Sequence, residues 1–405
     1  MTFRRSLRLA AVLAALAFSS GTALAAVPCR TSGPFERWLE GFKQEALAKG
    51  VSRNALAQAA PYLVYDQRII NIDRGQRVFS QTFTEFAGRM VSAGRVSQGK
   101  AHLKKHAAVF ARAEQQYGVP PAVIAGFWGL ESDFGAFMGK ENAIRSITSL
   151  AYDCRRAEMF RGHLIDALRL IDRGDLAPTE MIGAWAGELG QTQMMPSEYM
   201  KFAVDYDGDG HRNLLRSPAD VIGSSANYLA HLGWKRGAPW LQEVRVPQTL
   251  PWKESGLDVK HPRGQWAKWG VVLADGRALP NDALPASLLL PMGRHGPAFL
   301  VYDNFQVYLT WNNSLIYSAT AAYYATRIAG AGPMRKPTAP IAPVTMEMTR
   351  ELQQILTRLG HDVGGVDGKL GMGTRQAVKT MQVKLGLPAD SYPTPELLER
   401  LRQTR

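Results

Sequence analysis

The chain has 405 residues and carries 48 basic against 35 acidic residues, a formal charge of +13. This length suits one large domain and one small domain. The positive excess suits binding to a polyanionic surface such as a cell-wall polymer or lipid headgroups. The chain lacks a compact Lys/Arg tract interleaved with aromatic residues, which argues against nucleic-acid binding. A solvated basic surface without a particular partner is the alternative explanation.

The N-terminus has the three parts of a secretory signal. Arg4, Arg5 and Arg8 form a basic start, residues 9–18 are apolar, and residues 23–25 form a small-residue cleavage site. The apolar stretch is too short to cross a bilayer as a helix. We therefore predict a cleaved signal peptide at residues 1–25 and no transmembrane anchor afterwards, an uncleaved anchor being the alternative. Cleavage would remove three Arg and lower the formal charge to +10.

Two cysteines, Cys29 and Cys154, remain after the predicted cleavage. Lipidation of Cys29 is not expected, because Pro28 precedes it where a lipoprotein signal has a small residue. Two thiols in an exported chain more often form a disulfide than stay reduced. We predict a Cys29–Cys154 disulfide.

Helical patterns dominate the first 330 residues. A stripe of apolar residues runs from Phe35 to Ala46, and Gly50 suits the end of that helix. Residues 104–117 and 159–172 are two further predicted helices.

Strand patterns appear later in the chain. Residues 299–302 and 305–309 predict a hairpin that turns at residues 303–304, and residues 266–273 predict a further strand. The large domain, residues 30–330, is therefore predicted to be mainly α with a small β part.

Residues 331–345 contain four prolines and no apolar periodicity, which predicts a semi-stiff linker. Residues 346–405 then predict a module of three short helices. Thr374 is the expected cap of the second helix, and Thr394 with Pro395 suits the start of the third. A glycine-rich loop at 364–371 joins the first two.

Glu131 ends the apolar run 121–130 and is followed by Ser132-Asp133-Phe134-Gly135. A carboxyl group there is poorly solvated, which disfavours the charged form and raises the pKa. An acid still protonated near neutral pH can give its proton to a leaving oxygen, as cleavage of a glycosidic bond requires. A structural ion pair with Arg145 or Arg155 is the equally weighted alternative from this segment alone.

Four motifs in order resemble one known family. They are the segment 131–135, the segment 185–197 that contains Gly190-Gln191-Thr192-Gln193, the acidic turn 205–211, and Trp311-Asn312-Asn313-Ser314-Leu315-Ile316-Tyr317. With them, residues 30–330 resemble the B-type lytic murein transglycosylases, which have a lysozyme-like fold. Residues 346–405 resemble the three-helix peptidoglycan-binding module often fused to them.

The resemblance implies that Glu131 is the single general acid/base on peptidoglycan glycan strands. It would protonate the oxygen between N-acetylmuramic acid and N-acetylglucosamine, then accept the proton of the muramyl C6 hydroxyl, leaving a 1,6-anhydro end. No catalytic cofactor is expected, and the periplasm is favoured. The alternatives are a hydrolytic muramidase with Glu188 as second carboxylate and a non-catalytic wall-binding protein.

The same resemblance implies the substrate contacts. Gln193 ends the Gly-Gln-x-Gln segment and Met194 follows it, and the cleft-lining positions correspond to Tyr228, Asn312 and Tyr317. A Gln that only fastens its loop, and aromatic residues that only pack, are the alternatives. Ala184 departs from the family, which commonly has Ser there, so Glu131 lacks one expected hydrogen-bond partner.

Asp205, Asp207 and Asp209 alternate before Gly210, like the start of a calcium loop, and His211 falls where a backbone carbonyl is used. The twelfth position is Arg216 instead of the bidentate Glu of an EF-hand. The resemblance implies that a later Asp completes the site, and Asp220 is the candidate. We predict a structural Ca²⁺ site, a metal-free acidic turn being the alternative.

Overall fold

A computed structural model describes residues 28–75 and 81–404, so the predicted signal peptide lies outside the described residues. Within them the chain forms seventeen α-helices and seven β-strands. The helices of the large domain are α1 (Phe35–Ala48), α2 (Arg53–Ala59), α3 (Gln67–Arg74), α4 (Phe83–Met90), α5 (Ala93–Lys105), α6 (Ala107–Tyr117), α7 (Pro121–Ser132), α8 (Ala143–Tyr152), α9 (Ala157–Asp172), α10 (Pro196–Phe202), α11 (Pro218–His231), α12 (Arg263–Lys268), α13 (Phe305–Trp311) and α14 (Leu315–Ile328).

The strands form two small antiparallel sheets. Strands β1 (Glu141–Asn142) and β2 (Ile182–Gly183) pair with each other. The other strands are β3 (Leu241–Arg245), β4 (His261–Pro262), β5 (Val272–Leu273), β6 (Pro285–Leu289) and β7 (Ala298–Val301). They lie in the order β4-β6-β7-β3-β5, with Leu288 opposite Leu300 and Val244 opposite Ala298. The predicted fold class, mainly α with a small β part, is confirmed.

Helix α7 runs through the centre of the large domain. Pro121 supplies the fixed φ that suits a first helical position, and residues 122–130 are all buried. Gly126 lies against α14, where an added Cβ would meet the Cβ of Ala325 at 3.3 Å. The two helices can therefore approach closely. The helix ends where Asp133 adopts left-handed backbone angles, φ 54° and ψ 47°.

The predicted hairpin at 299–309 is wrong in its second half. Residues 298–301 form strand β7, but residues 305–311 form helix α13. A two-residue hairpin turn of type I′ or II′ requires positive φ at its first central residue, whereas Asp303 is not among the residues with positive φ and Asn304 has φ −65°. Its side chain accepts from the Lys235 N–H and donates to the Lys235 and Ala238 carbonyls. These bonds fasten residue 304 to another loop at the start of a helix.

The strand predicted at 266–273 is also wrong for most of its length. Residues up to Lys268 belong to α12, and only Val272 and Leu273 are strand. Trp266 is fully buried and donates its indole N–H to the Ala286 carbonyl at 3.0 Å. Anchoring by this aromatic side chain outweighs the strand preference of aromatic residues, as tertiary context often does.

Three predicted helices are present with small differences. The first is α1, followed by Gly50 at φ 85°, and the helix at 159–172 is α9. The helix predicted at 104–117 is divided in the structure between the end of α5 and the whole of α6. The division falls at His106, whose backbone angles (φ −113°, ψ 29°) are not helical.

The C-terminal module contains three helices, α15 (Met346–Arg358), α16 (Met372–Lys384) and α17 (Pro395–Arg402). Thr394 caps α17 as predicted, by accepting from the Leu397 N–H. The predicted cap at Thr374 is wrong, because α16 begins two residues earlier. Thr374 is buried inside the helix and donates to the Val363 carbonyl.

The module packs directly on the large domain. Arg375 donates to the Pro291 carbonyl at 2.7 Å, and Lys379 donates to the Ser255 carbonyl at 2.6 Å. Residues 331–345 form no helix or strand, and the Thr338 N–H donates to the His295 carbonyl. The module is therefore held by contacts of its own as well as by the chain connection.

Cys29 and Cys154 are joined by a disulfide in the structure, with their Cα atoms 5.1 Å apart. The bridge ties the first described residues to the turn between α8 and α9. Among the described residues, no helix combines the length and apolarity needed to cross a membrane.

Candidate active site

Glu131 lies in the last turn of α7, and its carboxyl group is buried. Its Oε1 accepts hydrogen bonds from the indole N–H of Trp311, at 2.7 Å, and from the hydroxyl of Tyr317. Burial of the carboxyl group raises its pKa to about 7; the bonds from Tyr317 and Trp311 act in the opposite direction, and the charge of Glu188 adds to the rise. Glu131 can therefore both give and accept a proton near neutral pH.

Among the described residues, Glu131 does not form the alternative ion pair with Arg145 or Arg155. Arg155 pairs with Asp73, at 3.3 Å. No ion pair links Arg145 to Glu131 in the part of the chain that the structure describes. An arginine beside Glu131 would lower the pKa of its carboxyl group and hold it ionised.

Trp311 is a candidate site residue that the sequence alone did not single out. Its ring lies 4.4 Å from the ring of Phe127 and 5.2 Å from that of Tyr228, measured between centroids. These contacts fix the indole so that its N–H points at Glu131. The available signal was its place at the head of the motif that also carries Asn312 and Tyr317.

Tyr228 lies in α11 and is half-buried. It stacks on Phe202 with the ring centroids 4.6 Å apart and contacts Trp311. Burial raises the pKa of Tyr228 to about 12, so its hydroxyl group remains protonated at neutral pH. The structure thus brings Tyr228, Tyr317 and Glu131 together through Trp311.

The loop after Glu188 carries the two predicted residues Gln193 and Met194. Gln193 has a left-handed backbone (φ 51°), and its amide donates to the Met138 and Gly190 carbonyls. Its side chain therefore fastens the loop, and its Oε1 has no hydrogen-bond partner among the described residues. Met194 is 3% exposed, so its side chain belongs mainly to the core.

Asn312 and Ala184 lie at two turns. The side-chain oxygen of Asn312 accepts the Ser314 N–H, so this amide shapes the start of α14. Ala184 closes a tight turn in which its N–H donates to the Glu188 carbonyl. An alanine at 184 has no side-chain donor to offer Glu131, whose two donors come from the 311–317 segment.

Glu188 is half-buried, and burial raises the pKa of its carboxyl group although backbone N–H groups oppose the rise. Its Oε2 has no hydrogen-bond partner in the described chain. The charge of Glu188 contributes to the raised pKa of Glu131. Ionisation of the Glu188 carboxyl group therefore affects ionisation of the Glu131 carboxyl group.

Asp205, Asp207 and Asp209 bring carboxylate oxygens within 4.8 Å of one another. Asp220, the predicted further ligand, is not part of this group of three. Its two oxygens accept the N–H groups of Tyr206 and Asn213, each at 2.7 Å, much as the oxygens of Asp205 accept those of Gly208 and Gly210. Its role as a cation ligand therefore stays a prediction. The His211 imidazole lies 3.2 Å from the Gly174 carbonyl, so the ring points away from the cluster. The three carboxylates are hard oxygen donors of the kind that Ca²⁺ prefers.

A buried carboxyl group of near-neutral pKa, at the end of a buried helix and bonded by two aromatic donors, is the site expected of a lysozyme-like glycan-cleaving domain. Comparison with known proteins supports this class of domain. Residues 34–326 match the model of the transglycosylase SLT domain, and residues 345–401 match the putative peptidoglycan binding domain. The chain therefore belongs to the SLT-domain transglycosylase family, as the resemblance in sequence indicated.

Two solved relatives show how far the likeness extends. SltB3 from Pseudomonas aeruginosa, solved with NAG-NAM-pentapeptide and with NAG-anhNAM-pentapeptide, is 39% identical; the match covers 91% of this chain and 99% of that one, with TM-scores of 0.84 and 0.83. Slt35 from Escherichia coli, solved in complex with calcium, is 27% identical, with 75% and 96% coverage and a TM-score of 0.62.

A curated relative gives a shorter match. Membrane-bound lytic murein transglycosylase B of Escherichia coli is 32% identical over 231 residues, which are 57% of this chain. The chain spans 63% of the length of that relative.

Proposed function

We propose that this chain is an exported lytic transglycosylase that cleaves the MurNAc–GlcNAc β-1,4 bond of peptidoglycan without water, with Glu131 as the only acid/base. The observation that carries the proposal is the carboxyl group of Glu131, whose pKa of about 7 allows either protonation state at neutral pH. The relative SltB3, which was solved with NAG-anhNAM-pentapeptide, supports the anhydro product.

In the first step Glu131 acts as an acid. Both protein donors reach Oε1, so the proton is expected on Oε2, the oxygen left to face the sugar. Transfer of this proton to the glycosidic oxygen breaks its bond to C1 of the muramyl sugar and releases the other sugar as an alcohol.

In the second step the Glu131 carboxylate acts as a base. It takes the proton of the muramyl C6 hydroxyl, whose oxygen bonds to C1 and closes the 1,6-anhydro ring. The proton lost in the first step is thus regained, and no water is consumed. The attacking hydroxyl belongs to the substrate and is already positioned, so a second carboxylate is not needed to activate water.

Trp311 and Tyr317 stabilise the carboxylate that exists between the two steps. Hydrogen bonds to a charged acceptor are the stronger kind. Burial of the carboxyl group has the opposite effect. The balance keeps Glu131 a competent acid first and a competent base afterwards.

The substrate contacts proposed for the cleft are Gln193, Met194, Tyr228, Asn312 and Tyr317. The Oε1 of Gln193 is suited to accept from a sugar hydroxyl or an N-acetyl N–H, while its Nε2 holds the loop. The half-buried ring of Tyr228 is suited to pack on a sugar face. Met194 and Asn312 act mainly by shaping the two loops.

Glu188 supports a second candidate, a hydrolytic muramidase in which this carboxylate activates a water molecule. The supporting observation is its half-buried carboxyl group, which acts electrostatically on Glu131. The mass of the product separates the two reactions, because hydrolysis adds one water and transglycosylation does not.

A structural Ca²⁺ ion fits the acidic turn. Asp205, Asp207 and Asp209 would supply carboxylate oxygens, and the His211 carbonyl and the Asp220 carboxylate are the proposed further ligands. The ion would compensate three like charges that repel one another. The calcium complex of Slt35 is a property of that relative and supports the proposal here.

The proposed organisation is a signal peptide (1–25), a catalytic domain (30–330), a linker (331–345) and a wall-binding module (346–405). The module is proposed to bind peptidoglycan near Asp367-Gly368 and Gly371, and the periplasm is the proposed location. A non-catalytic wall-binding protein is disfavoured because Glu131, Trp311 and Tyr317 form an intact acid site.

The test is digestion of purified sacculi with residues 26–405, borohydride reduction of the products and mass spectrometry. Products that resist reduction and weigh one water less than hydrolytic muropeptides are expected. Reducible products would transfer the assignment to the muramidase, with Glu188→Gln as the next variant. An absence of any product would leave a wall-binding protein.

A further inference from the structure

Gln191 lies two residues before the proposed substrate-binding Gln193 but faces the opposite way, into the protein. It is 7% exposed. All four of its polar groups are hydrogen-bonded: the backbone N–H, the carbonyl, Oε1 and Nε2. A buried amide with every group satisfied holds its neighbours in one arrangement, because any shift leaves a buried polar group unpaired.

Two of the four groups bind the end of helix α7. Oε1 accepts the indole N–H of Trp128 at 2.8 Å, and the carbonyl accepts the hydroxyl of Ser132 at 2.5 Å. Trp128 precedes Glu131 by three residues, and Ser132 follows it directly. These contacts therefore bracket the proposed acid.

A third contact fixes the turn that ends the helix. The Gly135 N–H donates to the same Ser132 hydroxyl, at 2.8 Å. A Cβ added at Gly135 would lie 2.6 Å from the Gln191 Oε1, and Gly135 has φ 90°, so no larger side chain fits. The conformation of residues 132–135 is thus matched to the amide of Gln191.

The other two groups of Gln191 bind a different segment. The backbone N–H donates to the Leu214 carbonyl and Nε2 donates to the Leu215 carbonyl, both at 2.8 Å. This segment is itself fastened, since the Leu214 N–H donates to the hydroxyl of the fully buried Tyr199. Gln191 therefore joins the end of α7 to a rigid loop of the domain.

We propose that Gln191 is a positioning residue for the reaction: it holds the last turn of α7 so that the Glu131 carboxyl group keeps its orientation toward Trp311, Tyr317 and the scissile bond. The proposal rests on the proposed function. Gln191 touches no reacting atom and acts through Trp128 and Ser132. A displacement of an acid/base group by about 1 Å can lower the rate about 10²-fold.

The test compares Gln191→Met, which keeps the length and removes the amide, with Trp128→Phe. The second variant removes the Trp128–Gln191 bond and also part of a buried ring that packs on His102 and Phe134. We expect Gln191→Met to lower kcat on soluble glycan strands about 10- to 100-fold, with KM changed by less than about threefold. Trp128→Phe should cause part of this loss, and the double variant should lose no more than Gln191→Met alone.

Gln382→Met is the matched control. Gln382 is also a buried glutamine with both amide groups bonded, but its partners are Asp390, Ser391 and Tyr392 in the C-terminal module. Its variant should lose a similar amount of stability in thermal unfolding and keep kcat. A Gln191→Met enzyme that loses stability in the same way while keeping kcat within threefold would overturn the proposal.

A second readout does not depend on turnover. The Glu131 carboxyl group is titrated by carbon NMR in ¹³C-glutamate-labelled protein, and Gln191→Met is expected to shift its midpoint by about half a unit or more. An unchanged midpoint together with unchanged kcat rejects the positioning role. If the wild type makes no anhydro product, the proposed function fails, and the NMR titration alone decides about Gln191.

Discussion

Two acidic regions of this molecule use the same chemical group in opposite ways. At the end of α7, burial of the Glu131 carboxyl group raises its pKa to about 7. In the acidic turn, desolvation of the Asp205 carboxyl group raises its pKa. Hydrogen bonds from the N–H groups of Gly210, Gly208 and Asp209 together outweigh this effect, so the pKa of Asp205 lies below its usual value. Exposed carboxylates surrounded by N–H donors stay charged and suit a cation; a desolvated carboxyl suits proton transfer.

The two regions also give the folding stability opposite dependences on pH. Glu131 has a raised pKa in the folded state, so its stabilising effect is complete below pH 4.5 and is lost as the pH rises to about 7. Asp205 has a lowered pKa, so its effect is present above 3.8, its ordinary pKa, and is lost as the pH falls through the lowered value.

The largest expected effect is the loss of turnover in Glu131→Gln. The amide has nearly the same shape but cannot give or take the proton, so the rate should fall about 10²- to 10⁴-fold. The measurement is release of anhydro-muropeptides from sacculi. Glu158→Gln, at the exposed start of α9, is the control and should match the wild type. Substantial cleavage by Glu131→Gln would remove this residue from the mechanism.

The same substitution should stabilise the protein at alkaline pH. Charging a buried carboxyl whose pKa has risen from 4.5 to about 7 costs about 3 kcal/mol of folding free energy. Urea unfolding at pH 8 should therefore find Glu131→Gln up to about 3 kcal/mol more stable, with the difference vanishing below pH 4.5. A difference that does not depend on pH would mean that Glu131 titrates normally in the folded protein.

Calcium should stabilise the protein by binding at the acidic turn. A cation bound at the acidic turn at about a hundred times its Kd adds about 2.7 kcal/mol of stability, which raises Tm by a few degrees. The double variant Asp207→Asn/Asp209→Asn should abolish the shift and leave anhydro-product formation unchanged at low temperature. Equal Tm values with calcium and with a chelator would favour the metal-free turn.

A smaller change should follow removal of one donor to Glu131. Tyr317→Phe deletes a hydrogen bond that lowers the pKa of the carboxyl group. A bond to a charged group contributes about 1.5 kcal/mol, so the pKa should rise by about one unit. The alkaline limb of the pH–rate profile should move up accordingly. A downward shift would show that the hydroxyl does not stabilise the carboxylate.

Local signals in the sequence account for part of the candidate site. The apolar run before Glu131 predicted a poorly solvated acid with a raised pKa, which the structure has. The last of the four motifs contains Tyr317, which donates to Glu131, whereas Tyr228 lies outside the motifs and came from the resemblance alone. Trp311 was missed because its function depends on a hydrogen bond across 180 residues of sequence. No local pattern reports such a contact.

The errors have the same origin. Residues 305–309 alternate like a strand but form a helix, because Asn304 is fastened to the loop at 235–238. Residues 266–268 were predicted as strand but belong to α12, where the buried Trp266 donates to the Ala286 carbonyl. In each case a hydrogen bond to a distant residue decides between two locally acceptable outcomes.

The most direct test of the account is the pKa of Glu131 itself. Carbon NMR of ¹³C-glutamate-labelled wild type, with Glu131→Gln used to assign the resonance, gives the titration curve of this one carboxyl group. The account predicts a midpoint near pH 7. A midpoint near 4.5 would mean an ordinary solvated carboxylate and would contradict its role as the single acid/base.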